Sequence, residues 1–201
     1  FSTAKNSGLS VTCEVTPHHL LLSSKNLKRY KTLALTNPPL RSRRHVEALW
    51  SALKLGLIDT IASDHAPHTI EEKKTESVWA AKSGVPGLET TLPLLLTQVN
   101  EKRLTLRDLV RLTSEKPAMI FHLRDRGSLK DGCWADLVVV DMKQKYKVDS
   151  SKFFSKAKYS PFDGWEVKGK PLKTFVNGQL VYDEGEIVAK PGTGQIVRCL
   201  D

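Results

Sequence analysis

The chain has 201 residues, of which 40% are hydrophobic and 26% charged, as in an ordinary globular protein. Its 31 Lys and Arg residues outnumber its 22 Asp and Glu residues, giving a net charge of +9. The basic residues are scattered, the densest cluster being Arg41, Arg43 and Arg44, and no RNA-binding aromatic signature or zinc finger accompanies them, so we expect no nucleic-acid partner. No apolar run reaches the roughly 18 residues that a membrane span requires, and we expect no membrane association.

The three cysteines are widely spaced and form no CxxC pair. Cys13, Cys133 and Cys199 therefore indicate neither a zinc knuckle nor a disulfide framework. A reducing compartment fits this pattern, and we expect a cytoplasmic location.

The first part of the chain alternates predicted strands and helices. Residues 11–17 and 33–37 are rich in β-branched or apolar residues and end at prolines, which favours short strands. Apolar residues at helical spacing follow Ser42, a candidate N-cap, and Gly56 suits the end of that helix. Residues 58–64 form a nearly continuous apolar run, typical of a strand in a parallel sheet covered on both faces.

Three further helices and a β-rich tail follow. We predict helices over 88–99 and 114–122 and another that begins after Thr105. Residues 135–141 resemble a strand, and Asn177-Gly178 is a strong hairpin signal between apolar runs. These patterns predict an α/β domain over residues 1–123, built of βα units, and a small β-rich domain over residues 124–201.

Polar clusters stand at the ends of three predicted strands, where chemistry is placed in parallel α/β folds. In one of them Asp64 follows a buried strand and is flanked by His65 and His68. A carboxylate there is costly unless its charge is compensated, and a metal-bound hydroxide beside a carboxylate base makes a hydrolytic pair. An Asp that caps the next turn is the alternative. His18 and His19 follow another predicted strand, where adjacent side chains would face opposite ways.

Four motifs follow one another along the chain: CEVTPHHLLLS (13–23), NPPLRS (37–42), IASDHAPHT (61–69) and GVPGLET (84–90). In this order and at this spacing they resemble the second half of the dihydroorotase family within the amidohydrolase superfamily. The resemblance covers nearly the whole chain. It implies the C-terminal part of a (β/α)₈ TIM-type amidohydrolase barrel followed by a small β-sandwich. The implied reaction is the reversible interconversion of dihydroorotate and N-carbamoyl-L-aspartate in pyrimidine biosynthesis.

The resemblance also implies roles for particular residues. Asp64 would be a metal ligand and the general base and acid, taking a proton from a metal-bound hydroxide and passing it to the leaving amide nitrogen. Asn37 and His68 would bind dihydroorotate, and Ser83 and Gly84 would offer backbone contacts to its ring. One or two zinc ions are implied, as are a homodimer or a complex with aspartate transcarbamoylase.

Most of the family's metal ligands have no counterpart in this sequence. The HxH pair, the central bridging carboxylate or carboxylated lysine and two later histidines would lie upstream of Phe1. Two alternatives therefore stand beside a dihydroorotase: another cyclic amidohydrolase, such as an allantoinase or dihydropyrimidinase, and a catalytically inactive dihydroorotase-like scaffold subunit. Retention of both Asp64 and His68 argues against the scaffold. Asn37 and His68 fit a ring that carries a carboxylate, whereas a neutral hydantoin ring would need no such partner.

We predict that these 201 residues alone neither fold stably nor hydrolyse dihydroorotate. Half a barrel leaves strand edges unpaired and the core open, and one carboxylate cannot hold zinc, which takes about four ligands. Expression of the chain by itself, followed by zinc analysis and a dihydroorotate assay, tests this. Metal-dependent turnover by the isolated chain would contradict it.

Overall fold

A computed structural model describes residues 1–123, 125–197 and 199. The chain divides into two compact units, one made of Phe1–Leu92 with Lys147–Glu166 and the other of Pro93–Tyr146 with Val167–Asp201. Each unit is therefore built from two segments that are not consecutive in the sequence. The division at residue 124, which follows a change of sequence pattern, stays a prediction.

The first unit contains a parallel pair of short strands, β1 (Glu14–Val15) and β2 (Thr60–Ile61). Glu14 pairs with Thr60 and Val15 with Ile61, and the connection between the strands is largely helical. This confirms the predicted βα organisation, although both strands are shorter than predicted. The Asp59 carboxylate fixes the start of β2, since it accepts hydrogen bonds from the backbone N–H of Cys13 at 2.8 Å and from Lys5 Nζ at 2.7 Å.

Two predictions about the segments between β1 and α4 are wrong. The two histidines lie on helix α2 (Pro17–Leu21), not on a strand, so they do not alternate across a sheet. Thr16 caps α2 by accepting a hydrogen bond from the His19 N–H, and Pro17 occupies the first turn, where its missing N–H costs nothing. The predicted strand at 33–37 is instead a 3₁₀ turn over Lys31–Ala34, followed by an irregular segment.

Helix α4 (Arg43–Lys54) matches its prediction. Ser42 stands at the N-cap position, although its hydroxyl contacts His45 Nδ1 at 2.9 Å rather than the backbone. Gly56, with φ +72°, follows the helix end, as expected of a glycine past a helix C-terminus. Buried Trp50 couples α4 to α2, because its indole N–H donates to the carbonyl of Leu20 at 2.8 Å.

The predicted helices near residue 100 are also confirmed. Helix α6 (Leu88–Asn100) contains Pro93 and runs from the first unit into the second. Thr105 caps α7 (Leu106–Val110), and a π-helical turn (Arg111–Glu115) leads into α8 (Lys116–Ile120). The remaining helices of the described ranges are α1 (Ser2–Asn6), α3 (Ser24–Tyr30), α5 (Ile70–Lys73) and a 3₁₀ turn at Ser150–Lys152. Among the described residues, none of these helices has both the length and the apolarity of a bilayer span.

A four-stranded sheet of order β3-β4-β5-β6 lies mainly in the second unit. Its strands are β3 (Leu137–Lys147), β4 (Glu166–Val176), β5 (Gln179–Asp183) and β6 (Glu186–Ile187). Asn177 and Gly178 both have positive φ, 51° and 79°, and join antiparallel β4 and β5 as the sequence predicted. The dipeptide sets the pairing next to the turn, Val176 with Gln179 and Phe175 with Leu180, and an irregularity between Thr174 and Phe175 shifts the register beyond it.

Candidate active site

Asp64 lies three residues beyond the end of β2. Its backbone is in the left-handed region, with φ +45°, which Asp tolerates better than most residues. The side chain is 43% exposed. Within the described ranges no backbone N–H donates to its carboxylate, so the turn-capping alternative has no support there. The carboxylate is therefore available to a ligand.

His18 of α2 faces this carboxylate. Its Nε2 lies 3.8 Å from Asp64 Oδ2, beyond hydrogen-bond distance, and the imidazole is almost fully buried. Nε2 has no hydrogen-bond partner in the described part of the chain, an unusual state for a buried polar atom. Burial, and to a smaller degree the neighbouring His19, lowers the pKa of His18 from 6.5 to about 3. His18 is thus a neutral imidazole at physiological pH with one unused nitrogen next to Asp64.

His19 fixes the segment that follows Asn37. Its Nε2 lies 2.9 Å from the carbonyl oxygen of Pro38, and its Nδ1 lies 2.7 Å from the Thr16 hydroxyl. Since a carbonyl only accepts, Nε2 carries the proton and Nδ1 accepts from Thr16. The Asn37–Pro38 peptide bond is cis, and Asn37 is exposed. The chain downstream of Asn37 is therefore tied to α2, the helix that also carries His18.

His65 joins the segment after β2 to the start of α6. Its Nδ1 accepts hydrogen bonds from the N–H groups of Gly87 at 3.0 Å and Leu88 at 3.2 Å, so its proton is on Nε2. A bridge pairs His65 in parallel with Val85. A Cβ at Gly87 would lie 2.6 Å from the carbonyl oxygen of Ser63, so this close approach requires a glycine. The Nδ1 of His65 therefore holds the backbone at the start of α6.

His68 contacts a second predicted site residue. Its Nε2 donates to the carbonyl of Ser83 at 3.0 Å, while its Nδ1 lies 3.5 Å from Glu72 Oε2. The same Glu72 accepts from the Thr69 N–H in a capping box at the start of α5, and that hydrogen bond holds the Glu72 pKa below its ordinary value. The structure thus brings His68 and Ser83 together, and a hydrogen bond joins His68 Nε2 to the Ser83 carbonyl.

Lys73, which the sequence analysis did not identify, lies behind these loops. It has no exposed surface, and its ammonium donates to three backbone carbonyls, those of Leu35, Lys82 and Gly84. Nothing in the run of charged residues around it distinguishes it from a solvated lysine. Only the folded arrangement reveals its burial.

The predicted site residues fall into two connected groups. Asp64 faces His18, and His18 adjoins His19, which holds the Pro38 carbonyl next to Asn37. His68 contacts Ser83, and the N–H of Gly84 donates to Leu35, two residues before Asn37, at 2.9 Å. All of these residues belong to the first unit.

The described residues do not form a metal site by themselves. No group of three or more His, Cys, Asp or Glu side chains that could hold a metal is present among them. Asp64 and the unused nitrogen of His18 offer two donors, fewer than the three protein ligands of a catalytic zinc site. A metal at Asp64 would need ligands from polypeptide outside this sequence.

The buried imidazole of His18 predicts acid sensitivity in the folded, metal-free protein. Unfolded His18 binds a proton below pH 6.5, whereas folded His18 does so only near pH 3, so its contribution to stability is complete above pH 6.5 and is lost as the pH falls. We expect a loss of at most about 1.4 kcal/mol per pH unit across this window.

Urea unfolding at pH 7 and pH 5 measures this loss in a full-length barrel that contains this chain, as the wild type and as His18→Asn. The variant should lose less stability between the two pH values than the wild type does. His45→Asn, at an exposed position of α4, is the matched control and should follow the wild type. Equal pH dependence in the wild type and His18→Asn would refute the assignment.

Comparison with protein families matches residues 3–181 to the Amidohydrolase family. A dihydroorotase from Methanothermobacter thermautotrophicus is 45% identical over 185 residues, which cover 90% of this chain and 41% of that protein. A dihydroorotase from a Geobacter species (strain M21) is 47% identical over 182 residues, covering 90% and 42%. The chain therefore spans about two fifths of the length of these curated relatives.

Solved structures of hydantoinases share the fold. The L-hydantoinase (dihydropyrimidinase) from Arthrobacter aurescens superposes with a TM-score of 0.93 at 42% identity, over 96% of this chain and 44% of that protein. The D-hydantoinase from a Thermus species has a TM-score of 0.93 at 31% identity, over 98% and 45%. These neighbours support the predicted α/β amidohydrolase barrel, of which the chain forms a part. With the family match extending over residues 3–181, the chain belongs to the amidohydrolase family.

Proposed function

We propose that this chain is part of a dihydroorotase, which reversibly hydrolyses the cyclic amide of dihydroorotate to N-carbamoyl-L-aspartate in pyrimidine biosynthesis. The observation that carries the proposal is the exposed Asp64 carboxylate beyond β2, held at positive φ and facing a buried neutral imidazole. The dihydroorotases at 45–47% identity support the same reaction.

Asp64 serves as the general base and then the general acid in this proposal. In ring opening its carboxylate accepts a proton from the attacking water and then passes that proton to the leaving amide nitrogen. A bound zinc ion would supply an activated water and polarise the scissile carbonyl. The neutral state of His18 suits this cycle, because an imidazolium 3.8 Å away would lower the basicity of the carboxylate.

Asn37 and His68 are proposed to bind the ring and its carboxylate. His68 Nε2 is bonded to the Ser83 carbonyl and its Nδ1 lies 3.5 Å from Glu72 Oε2, so a substrate carboxylate would have to take the place of one of these two acceptors. The N–H of Gly84 is bonded to Leu35, which leaves the N–H of the exposed Ser83 as the better backbone donor to the ring. Gly84 has a steric role instead, since a Cβ there would lie 2.6 Å from Ala66.

The remaining features of the whole protein are proposals on the same basis. Zinc would take Asp64 as one ligand, with the others outside this sequence. The β-rich residues 124–201 would form the small β-sandwich. A homodimer, a complex with aspartate transcarbamoylase and a cytoplasmic location stay predictions.

A hydantoinase is the second candidate, and the TM-score of 0.93 to the Arthrobacter protein at 42% identity is compatible with it. The two activities differ in the charge of the ring, because dihydroorotate carries a carboxylate and the hydantoin ring itself has none. A site that presents Asn37 and His68 to a ligand is better matched to the anion. The inactive scaffold is disfavoured because Asp64 is accessible and both proposed binding residues are present.

The activity is testable in a chimera in which this chain replaces the matched segment of the Methanothermobacter dihydroorotase. We expect the chimera to hydrolyse dihydroorotate, and Asp64→Asn to lower kcat by about 100- to 10,000-fold, because the proton carrier is lost. Asp131→Asn, at an exposed position, is the control and should leave kcat unchanged. Turnover that survives Asp64→Asn in a chimera of normal metal content would overturn the assigned role.

Substrate choice is tested by comparing dihydroorotate, allantoin and hydantoin with the same chimera. We expect dihydroorotate to have the highest kcat/KM. His68→Ala should lower kcat/KM for dihydroorotate by about 10- to 100-fold, because a hydrogen bond to a charged group is lost. The same substitution should lower kcat/KM for neutral hydantoin less, because only the Ser83 contact of His68 and no contact to a carboxylate is lost there. A preference for hydantoin would favour the second candidate instead.

A further inference from the structure

The ammonium of Lys73 makes an unusual set of contacts. It donates to the carbonyl oxygens of Lys82 and Gly84, both at 2.8 Å, and of Leu35 at 3.2 Å. An ammonium has three protons, so these three bonds use its full donor capacity. The residue ends α5, a helix of only four residues, and its side chain has no exposed surface. The contacts therefore form inside the protein and not at its surface.

This arrangement has a free-energy cost that packing alone does not explain. Within the described ranges no carboxylate lies within salt-bridge distance of the Lys73 ammonium, and carbonyl dipoles alone compensate its charge. Burial lowers its pKa from 10.5 to about 8. An apolar side chain of similar length would fill the same space without a desolvation cost. What the lysine adds is a fixed position for three carbonyl groups.

The three carbonyls belong to the two segments that carry the proposed substrate contacts. Leu35 lies two residues before Asn37, while Lys82 and Gly84 lie on either side of Ser83. A direct hydrogen bond joins the segments as well, from the N–H of Gly84 to the carbonyl of Leu35 at 2.9 Å. One buried cation thus sits at the junction of both loops.

The same junction extends to His68. The N–H of Lys82 donates to the carbonyl of Glu72 at 3.1 Å, and the carbonyl of Ser83 accepts from His68 Nε2. Residues 82–84 are consequently held by α5 on one side and by the Leu35 carbonyl on the other. None of these contacts involves Asp64, so the junction is separate from the proposed proton carrier.

Resting on the proposed function, we propose that Lys73 is a positioning residue whose ammonium holds the loop of Asn37 and the loop of Ser83 in one arrangement, so that both contact the same substrate ring. Without the ammonium, the ring itself must order the two loops when it binds. That cost reduces substrate affinity, whereas the proton transfers at Asp64 are unaffected once the ring is bound.

The experiment uses the active chimera described above, with Lys73→Met, which keeps a long unbranched side chain and removes the charge. We expect KM for dihydroorotate to rise about 10-fold or more while kcat changes less than about 3-fold, with zinc content unchanged. Lys74→Met removes the adjacent, exposed ammonium and is the matched control, with KM expected to stay at the parent value.

The outcomes separate this inference from the proposed function. A parent chimera that binds zinc but does not hydrolyse dihydroorotate contradicts the proposed function. An active parent in which Lys73→Met has the KM of Lys74→Met overturns the positioning role. A variant that loses kcat with KM unaltered also overturns it, because general damage to the fold or the metal site then explains the loss.

A second measurement covers the case in which Lys73→Met does not fold. Hydrogen exchange in the unsubstituted chimera without substrate should show the amides of Lys82 and Gly84 protected about 100-fold or more, since the loops are held before binding. Exchange of these two amides at the rate of an unstructured peptide would refute the positioning role. Protection would support it, because the arrangement then exists before the ring binds.

Discussion

The parallel pairing of β1 with β2 determines the geometry of the site. Because Val15 lies opposite Ile61, the two strands end side by side and the chain leaves both at the same edge. At that edge β1 leads into α2, which carries His18, and β2 leads to Asp64. A shift of one residue in this register would turn alternate side chains to the opposite face and separate the imidazole from the carboxylate. The two residue pairs of this ladder thus bring together His18 and Asp64, which are 46 residues apart in the sequence.

Main-chain groups account for most of the polar contacts around this edge. His19, His65 and His68 each use a ring nitrogen on a backbone carbonyl or N–H of a neighbouring loop. Loops at the ends of strands have few regular hydrogen bonds of their own, and these side chains supply them. A cluster of histidines in the sequence is therefore not by itself evidence for a cluster of ligands. His18 differs from the other three because its Nε2 has no partner among the described residues.

Sequence reasoning predicted the features that depend on local chemistry. Asn177-Gly178 specifies its hairpin because both residues accept positive φ, and Gly56 follows the end of α4 for the same reason. It failed at His18 and His19, where Pro17 and the capping Thr16 start a helix directly after a strand of only two residues. The predicted alternation across a strand consequently did not apply.

Lys73 shows a different limit of sequence reasoning. Its burial depends on carbonyl groups 38 residues upstream and up to 11 residues downstream, and no local pattern encodes such a meeting. Asp64 was found because a carboxylate after a buried strand is conspicuous, whereas a lysine among charged residues is not. The polar groups easiest to predict are thus those whose neighbours along the chain make them unusual. Those that depend on distant backbone groups require the fold.

The likenesses to hydantoinases and to dihydroorotases do not conflict. The first concerns the arrangement of strands and helices, whereas the choice between the two substrates depends on the loops. A TM-score of 0.93 to a hydantoinase shows that strand pairing and helix placement are shared, and these elements place Asp64. Breaking a cyclic amide requires the same proton transfers whether or not the ring carries a carboxylate, so the shared scaffold can serve both reactions. In the proposed function, recognition of the ring falls to the loops, where Asn37 is exposed and His68 is partly accessible. The rigidity of those loops, which Lys73 is proposed to provide, then becomes part of substrate choice. A binding group selects an anionic ring only if its position is set before the ring arrives.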